Sequence, residues 1–240
     1  MSSKKALQRI INKDIREIEK LQLSDLGIFI QFDEENMLKA KSMIIGPKDT
    51  PFENGVLFFD IFFPNNYPYS PPCIKYYSRS RFRIHPNLYV GKSHDKYLGK
   101  VCLSVLNTWS GPKWTSIMHI GSILLILQSI LTAYPIEHEP GLESLSIEKK
   151  SLYNQIVLYD NFQNLILDNM IHTPDEYQIF QEDIKAHYEK SKDMILNRLK
   201  LENQKVISRK SYTIHSGVYN YSIVIDYNNL NIKFDNYFKL

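Results

Sequence analysis

The chain predicts an α+β protein, and three features of the sequence predict it. Apolar residues recur at three- and four-residue spacing near the start. Four strand-like runs follow with short polar turns between them, and long helical patterns fill the second half. Short turns between successive strands favour an antiparallel meander, because parallel neighbours need long crossovers.

Taken in order, residues 4–22 read as an N-terminal helix. Leu7, Ile11, Ile15 (or Ile10), Ile18 and Leu21 share one face, with Lys and Arg on the other. The strand runs are 27–32 (GIFIQF), 38–45 (LKAKSMII), 56–63 (VLFFDIFF) and 74–77, giving a four-stranded antiparallel meander sheet. Turn formers separate them, most densely in 46–55 (GPKDTPFENG) and the Pro-rich 64–72. From 79 to 114 no regular element is expected. A structureless stretch of that length inside a domain points to function, and this one carries Pro, Gly and both tryptophans. Residues 116–133 read as a buried central helix. Further helices follow over 144–170 and from 174 to about 206, with Thr173 as N-cap and Pro174 at the first position. Within 219–240, YSIVIDY (221–227) alternates as a strand. The expected organisation is a core domain over 1–172 and a C-terminal helical extension with a terminal strand over 173–240.

At 240 residues the chain can bury a full core, and 43% hydrophobic with 23% charged residues is a soluble, globular balance. A net charge of +3 without a clustered basic face argues against nucleic acid as partner. Ser2-Ser3-Lys4-Lys5 leads into an amphipathic pattern with no apolar signal region, and the longest apolar run is about twelve residues, too short to span a membrane. Two cysteines, Cys73 and Cys102, make neither a disulfide framework nor a four-thiolate zinc site. Free thiols, a reducing compartment (cytoplasmic and/or nuclear) and no metal are expected.

Cys102 sits in GKVCLSVLNTWSGPKW (99–114), at the end of the irregular stretch, where reactive groups tend to be placed. Packing, metal ligation and nucleophilic attack are the three roles open to it, and metal ligation has no partner residues. Gly99 permits close approach by a partner chain, and upstream lies His85-Pro86-Asn87. Cys73, after Pro71-Pro72 at a strand start, reads as structural, and Trp109 as packing.

RFRIHPNLY followed by GKVCLSVLNTWSGPKW resembles the active-site region of ubiquitin-conjugating enzymes, in which a His-Pro-Asn motif precedes a thioester-forming cysteine. The resemblance extends through GPKDTPFENGVLFFDIFFPNNYPYSPPCIKYY and ILLILQSILTAYPIEHEPGLE, covers roughly residues 4 to 170, and is strongest to the large subclass with C-terminal extensions. It implies the UBC fold and an acyl transferase that accepts ubiquitin, or a ubiquitin-like protein, on Cys102 from an activating enzyme. The acyl group then passes to a substrate lysine or a ligase. It implies a monomer without a cofactor of its own, ATP being used by the activating enzyme. Asn87 would stabilise the oxyanion, or brace the loop. Glu139 would orient and desolvate the incoming lysine, with Glu137 and His138 as neighbouring alternatives, or the turn is simply a solvated acidic one. Arg9, Lys13 and Arg16 match the face that meets the activating enzyme, or form a solvated charged face. Tyr69, Trp114 and Ser116 match the ligase-facing loops; Ser116 stands where the family usually has proline, and Trp114 reads equally as core.

Asn87 and Cys102 are fifteen residues apart, longer than the family's usual interval. The extra residues fall in 91–97 (GKSHDKY), which can bulge outward at little entropic cost and offers Lys92, His94 and Lys96 to a partner. The sequence leaves two other functions open: a ubiquitin-binding scaffold on the same fold without carrier activity, and a Cys-His hydrolase using Cys102 and a histidine such as His138.

Overall fold

The structure, a computed structural model, describes residues 3–205 and 211–239. They form two compact units, Met1–Ile45 with Leu57–Leu131 and Gly46–Val56 with Thr132–Leu240. Among the described residues no helix is long and apolar enough to cross a membrane.

The first unit opens with α1 (Ser3–Arg9), which runs through a π-helical turn, Ile10–Asp14, into α2 (Ile15–Leu21). The wider turn shifts the inward face to Ala6, Ile10 and Asp14. The expected apolar face is corrected accordingly, and Ile11 is exposed.

Asp14 is fully buried and joins three segments. Its Oδ1 accepts from the Tyr67 hydroxyl at 2.6 Å and from the Ile120 N–H at 2.9 Å, and Arg9 Nε lies 3.3 Å from Oδ2. Burial, and then the adjacent Asp14 carboxylate, push the Tyr67 phenol well above its ordinary range, so it remains a donor. Removing one partner of such a buried cluster strands the others, so Asp14→Ala should cost about 3–5 kcal/mol of stability, read from the denaturant midpoint. Asp14→Asn, which keeps an acceptor oxygen, should cost less.

The sheet has five strands in the order β1 (Ile28–Phe32), β2 (Lys39–Ile45), β3 (Val56–Phe62), β4 (Cys73–Tyr77) and β5 (Leu98–Lys100). The four expected strands form the antiparallel meander, with Ile28 opposite Ile44 and Phe58 opposite Tyr77. The fifth lies inside the stretch expected to be irregular and pairs Tyr76 with Gly99. Three residues are too few to show an alternation pattern. α3 (Ile120–Ser129) is the buried central helix, shorter than expected at both ends; His119 caps it by accepting the Ser122 N–H on Nδ1.

In the second unit, a 3₁₀ turn (Pro135–His138) leads to α4 (Ile147–Asp160), which passes through a π-helical segment into α5 (Asp168–Ile171). Thr173 does not cap the next helix. Its hydroxyl donates back to the Asn169 carbonyl, and a 3₁₀ turn, Asp175–Phe180, precedes α6 (Gln181–Gln204). β6 (Tyr212–Ser216) and β7 (Tyr221–Ile225) make a two-stranded hairpin, and α7 (Tyr227–Lys239) ends the described chain. Sequence reading found β7 and missed β6 and α7. Phe162 packs edge-on against Tyr227 and Phe234 of α7.

The 46–55 turn belongs to this unit. Arg198 pairs with Glu53, and His187 Nε2 lies 3.3 Å from the Asn54 carbonyl. Burial pushes the His187 pKa below its ordinary 6.5. The unfolded chain therefore binds that proton more tightly, so the associated stability is present above pH 6.5 and is lost as pH falls toward the folded value. Denaturation midpoints should drop on acidification below about pH 6.5, and His187→Gln should flatten that slope.

Candidate active site

Asn87 and Cys102 meet because the chain between them folds back on itself. Leu88 bridges Val101, Tyr89 N–H donates to the Lys100 carbonyl at 3.0 Å, and Cys102 N–H donates to the Asn87 carbonyl at 2.9 Å. The insertion closes as a turn in which Asp95 and Tyr97 N–H groups both donate to the Lys92 carbonyl, with Lys96 and Tyr97 at positive φ. Two glycines allow the legs to approach. A Cβ on Gly91 would lie 2.0 Å from the Tyr97 carbonyl carbon, and one on Gly99 would lie 1.8 Å from the Tyr89 carbonyl oxygen. The close approach expected at Gly99 is therefore made by the chain's own Tyr89 backbone, not by a partner. Lys92, His94 and Lys96 are exposed on the turn.

The side chains add a second frame. Asn87 Nδ2 donates to the Cys102 carbonyl at 2.5 Å, and Asn87 N–H donates to His85 Nδ1 at 3.0 Å. His85 Nε2 lies 2.8 Å from the Ile130 carbonyl. A carbonyl can only accept, so the proton is on Nε2 and the Nδ1 lone pair receives Asn87. His85 is thereby fixed as a neutral linker from the α3 end to the motif, and neither nitrogen is available as a base for a thiol. Cys102 is 1% exposed and Asn87 7% exposed. Asn87 Oδ1 is buried with no hydrogen-bond partner among the described residues. One amide hydrogen of Nδ2 serves the Cys102 carbonyl, and a primary amide has a second.

The remaining predicted residues fall in several places. Glu139 lies in the second unit, half-buried, with Oε2 accepting from the Tyr219 hydroxyl. Glu137 pairs with Lys150 at 2.6 Å. His138 Nε2 is 3.4 Å from Thr132 Oγ1, and burial pushes its pKa down against the opposing pull of Glu137. Of the expected outward basic face, Arg16 is exposed and Lys13 half-exposed. Arg9 is corrected: it turns inward toward Asp14 and donates to the Met118 carbonyl at 2.7 Å. Tyr69 is 64% exposed and Ser116 is exposed, so both are available to a partner. Trp114 is buried, its indole N–H donating to the Pro68 carbonyl at 2.6 Å and its ring 5.8 Å from Tyr67, so it supports the loop from beneath. Trp109 is half-buried, and Cys73 is an exposed thiol at the head of β4.

Sequence reasoning missed Asp14, the two-sided role of His85, and Tyr219. Asp14 had no signal within the helix, because its burial depends on Tyr67 and the start of α3. Tyr219 had none, being eighty residues from Glu139. Among the described residues no cluster of three or more His, Cys, Asp or Glu could hold a metal ion.

The chain is 31% identical over 185 residues to "Ubiquitin-conjugating enzyme E2 Z" of Danio rerio, covering 74% of this chain and 54% of that protein. It is 35% identical over 147 residues to the Homo sapiens protein of the same name, covering 60% and 40% respectively. To the Homo sapiens "Dual E2 ubiquitin-conjugating enzyme/E3 ubiquitin-protein ligase BIRC6" it is 42% identical over 129 residues, covering 50% of this chain and 2% of that protein. The chain thus spans about half the length, or less, of these relatives. The family profile described as "Ubiquitin-conjugating enzyme" matches residues 10–159, which take in the His85-Pro86-Asn87 motif, the turn that folds back, and Cys102. A match over more than half of the residues shows that the chain belongs to the ubiquitin-conjugating enzyme family.

Proposed function

We propose that this chain is a carrier of ubiquitin or of a ubiquitin-like protein. Cys102 thiolate attacks the carbonyl of the thioester held by an activating enzyme. A carbon–sulfur bond forms to Cys102 and the activating enzyme's thiolate leaves. In the second step a neutral substrate lysine, or a ligase thiolate, attacks that carbonyl. The new bond forms, Cys102 leaves as thiolate, and an amine nucleophile sheds its extra proton to water. Asn87 stabilises the oxyanion of each tetrahedral intermediate through its second amide hydrogen. Glu139 orients the incoming lysine. Arg16 and Lys13 contribute to the surface that meets the activating enzyme, and Tyr69 and Ser116 to the surface that meets a ligase. Residues 1–172 make up the conjugating core and 173–240 its extension. A reducing compartment, cytoplasm or nucleus, keeps the thiol competent.

The observation that carries this reading is the doubled link between Asn87 and Cys102 across fifteen residues of chain. A carrier needs a donor held beside the thiol-bearing residue, and this link holds Asn87 there; a scaffold would use it only to brace the loop. The test is incubation with activating enzyme, ATP and ubiquitin. A covalent adduct that a thiol reductant cleaves is the expected product; failure to charge with ubiquitin and with every ubiquitin-like protein tried would overturn the proposal.

A further inference from the structure

Charge is unevenly distributed along this chain. Residues 73–102, which hold both Asn87 and Cys102, contain seven Lys or Arg and one acidic residue, Asp95. Their net charge is +6, against +3 for the whole chain, so the rest is net negative and a modest total conceals a local basic cluster.

The fold gathers much of this charge on one hairpin of the first unit. Its base is the linked pair of Asn87 and Cys102. Its legs are joined by Leu88 with Val101 and by the Tyr89 N–H donating to the Lys100 carbonyl, and its tip is the 91–97 insertion. The tip is anchored to the sheet: the Ser78 N–H donates to the Tyr97 carbonyl at 2.8 Å, and the Tyr97 ring meets Tyr77 edge-on at 6.1 Å. Lys92, Lys96 and Lys100 are exposed along the hairpin, and Arg81 is exposed on the loop before the His-Pro-Asn motif. Arg83 serves the loop itself, stacked 3.8 Å over Tyr89 and donating to the Pro86 carbonyl.

Charges arranged for stability alone would face opposite charges. Here β5 sets Lys100 directly opposite Lys75 of β4, a like-charge pairing that weakens a sheet. Asp60, opposite Lys75 on β3, is bonded to Lys41 at 2.9 Å, and Asp95 lies 3.1 Å from His94 Nε2. Among the described residues no ion pair engages Lys75, Arg81, Lys92, Lys96 or Lys100. Cations without carboxylates, held on an ordered hairpin that ends at the thiol-bearing residue, make a surface for negative charge.

We propose that this cluster selects substrates by binding acidic residues close to the acceptor lysine of a target protein. The inference rests on the carrier role proposed for Cys102 and names the class of substrate. Reach sets the spacing. Lys100 stands two residues from Cys102 and Lys96 six, so along an extended leg they lie within about 7 and about 20 Å of it. An extended target spans the same distances, which places its acidic residues about two to six positions from the lysine. Because the turn is ordered by its own hydrogen bonds, little entropy is lost in presenting its charges.

The experiment is single-turnover discharge of the charged full chain to three synthetic peptides, each with one lysine flanked by acidic, neutral or basic residues. Charging is measured first, and its failure overturns the carrier role before any peptide is added. Rates are then normalised to the charged fraction. In dilute buffer at subsaturating concentration, the acidic peptide should react about three- to tenfold faster than the neutral one, the scale of a few exposed charge pairs. The advantage should shrink toward parity near 1 M salt, where the screening length is about 3 Å. Lys92→Glu, Lys96→Glu and Lys100→Glu combined should reverse the order and favour the basic peptide. The change should fall on the peptide concentration for half-maximal rate more than on the limiting rate. The corresponding triple change to Gln should erase the preference, and that to Arg should keep it. A merely structural role for these lysines slows all three peptides alike, and that result overturns the proposal. So does equal use of the three peptides by the unaltered chain. Binding of a short DNA duplex supplies the last outcome. A duplex held more tightly than the acidic peptide, and released by the change to Glu, would mark a nucleic-acid surface and overturn the proposal.

Discussion

Cys102→Ala will form no reductant-sensitive adduct with ubiquitin, and Cys73→Ala will charge as the unaltered chain does. The contrast tests whether the frame around a thiol, or its accessibility, decides which one reacts. Accessibility alone selects Cys73, which is exposed, over Cys102, which is 1% exposed. A small alkylating reagent should accordingly modify Cys73 first. Transfer of an acyl group demands more than contact: the carbonyl must be held at the sulfur with a donor facing its oxygen. Only Cys102 has its N–H and carbonyl both engaged by Asn87, with His85 fixing that asparagine in turn. Cys102→Ser separates lost chemistry from lost folding, since it is nearly isosteric. It should fold, charge far more slowly, and hold the acyl group as an oxygen ester that thiol reductants leave intact. An adduct on Cys73, or a reductant-sensitive adduct on the Cys102→Ala variant, would remove Cys102 from its assigned role.

The parts legible in the sequence were those governed by short-range pattern. Strands β1 to β4 declared themselves through apolar runs bounded by turn formers, and the central helix through an uninterrupted apolar stretch. Residues whose placement depends on distant partners did not. The π turn at Ile10–Asp14 exchanges Ile11 for Asp14 on the buried face, and nothing within the helix forces this; Tyr67 and the start of α3 do. Arg9 follows Asp14 inward for the same reason. β5 exists because β4 offers an edge and Gly99 lets Tyr89 come close. α7 did have a signal in Tyr227, Leu230 and Phe234, which share one buried face, but the intervening asparagines are poor helix formers and weakened it. At the site, the motif named Asn87 and Cys102, while the turn that joins them across the insertion is a matter of backbone closure that spacing does not reveal.

Asn87→Ala should separate the two duties of that side chain, because their magnitudes differ. As a brace, Nδ2 satisfies the buried Cys102 carbonyl, and a net hydrogen bond of this kind is worth about 0.5–1.5 kcal/mol of stability. As an oxyanion donor, the same amide would contribute about 2.7–4 kcal/mol to the transition state, or roughly a hundred- to a thousandfold in rate. Loss of the brace alone moves the denaturant midpoint modestly and leaves discharge per charged molecule close to normal. Loss of the donor slows discharge by orders of magnitude in molecules that remain folded. We expect the second result, measured as single-turnover transfer to lysine and normalised to the charged fraction, together with the modest fall in stability. The two duties are compatible. The hydrogen bond to the Cys102 carbonyl uses one amide hydrogen and holds the side chain beside the thiol-bearing residue, and the second hydrogen is the one an oxyanion would take. Asn87→Asp sharpens the test: it keeps the shape, replaces both amide donors with acceptors, and sets a negative charge where the oxyanion would form. It should be at least as slow as Asn87→Ala. An Asn87→Asp variant that discharges faster than Asn87→Ala would show that the amide only braces the loop.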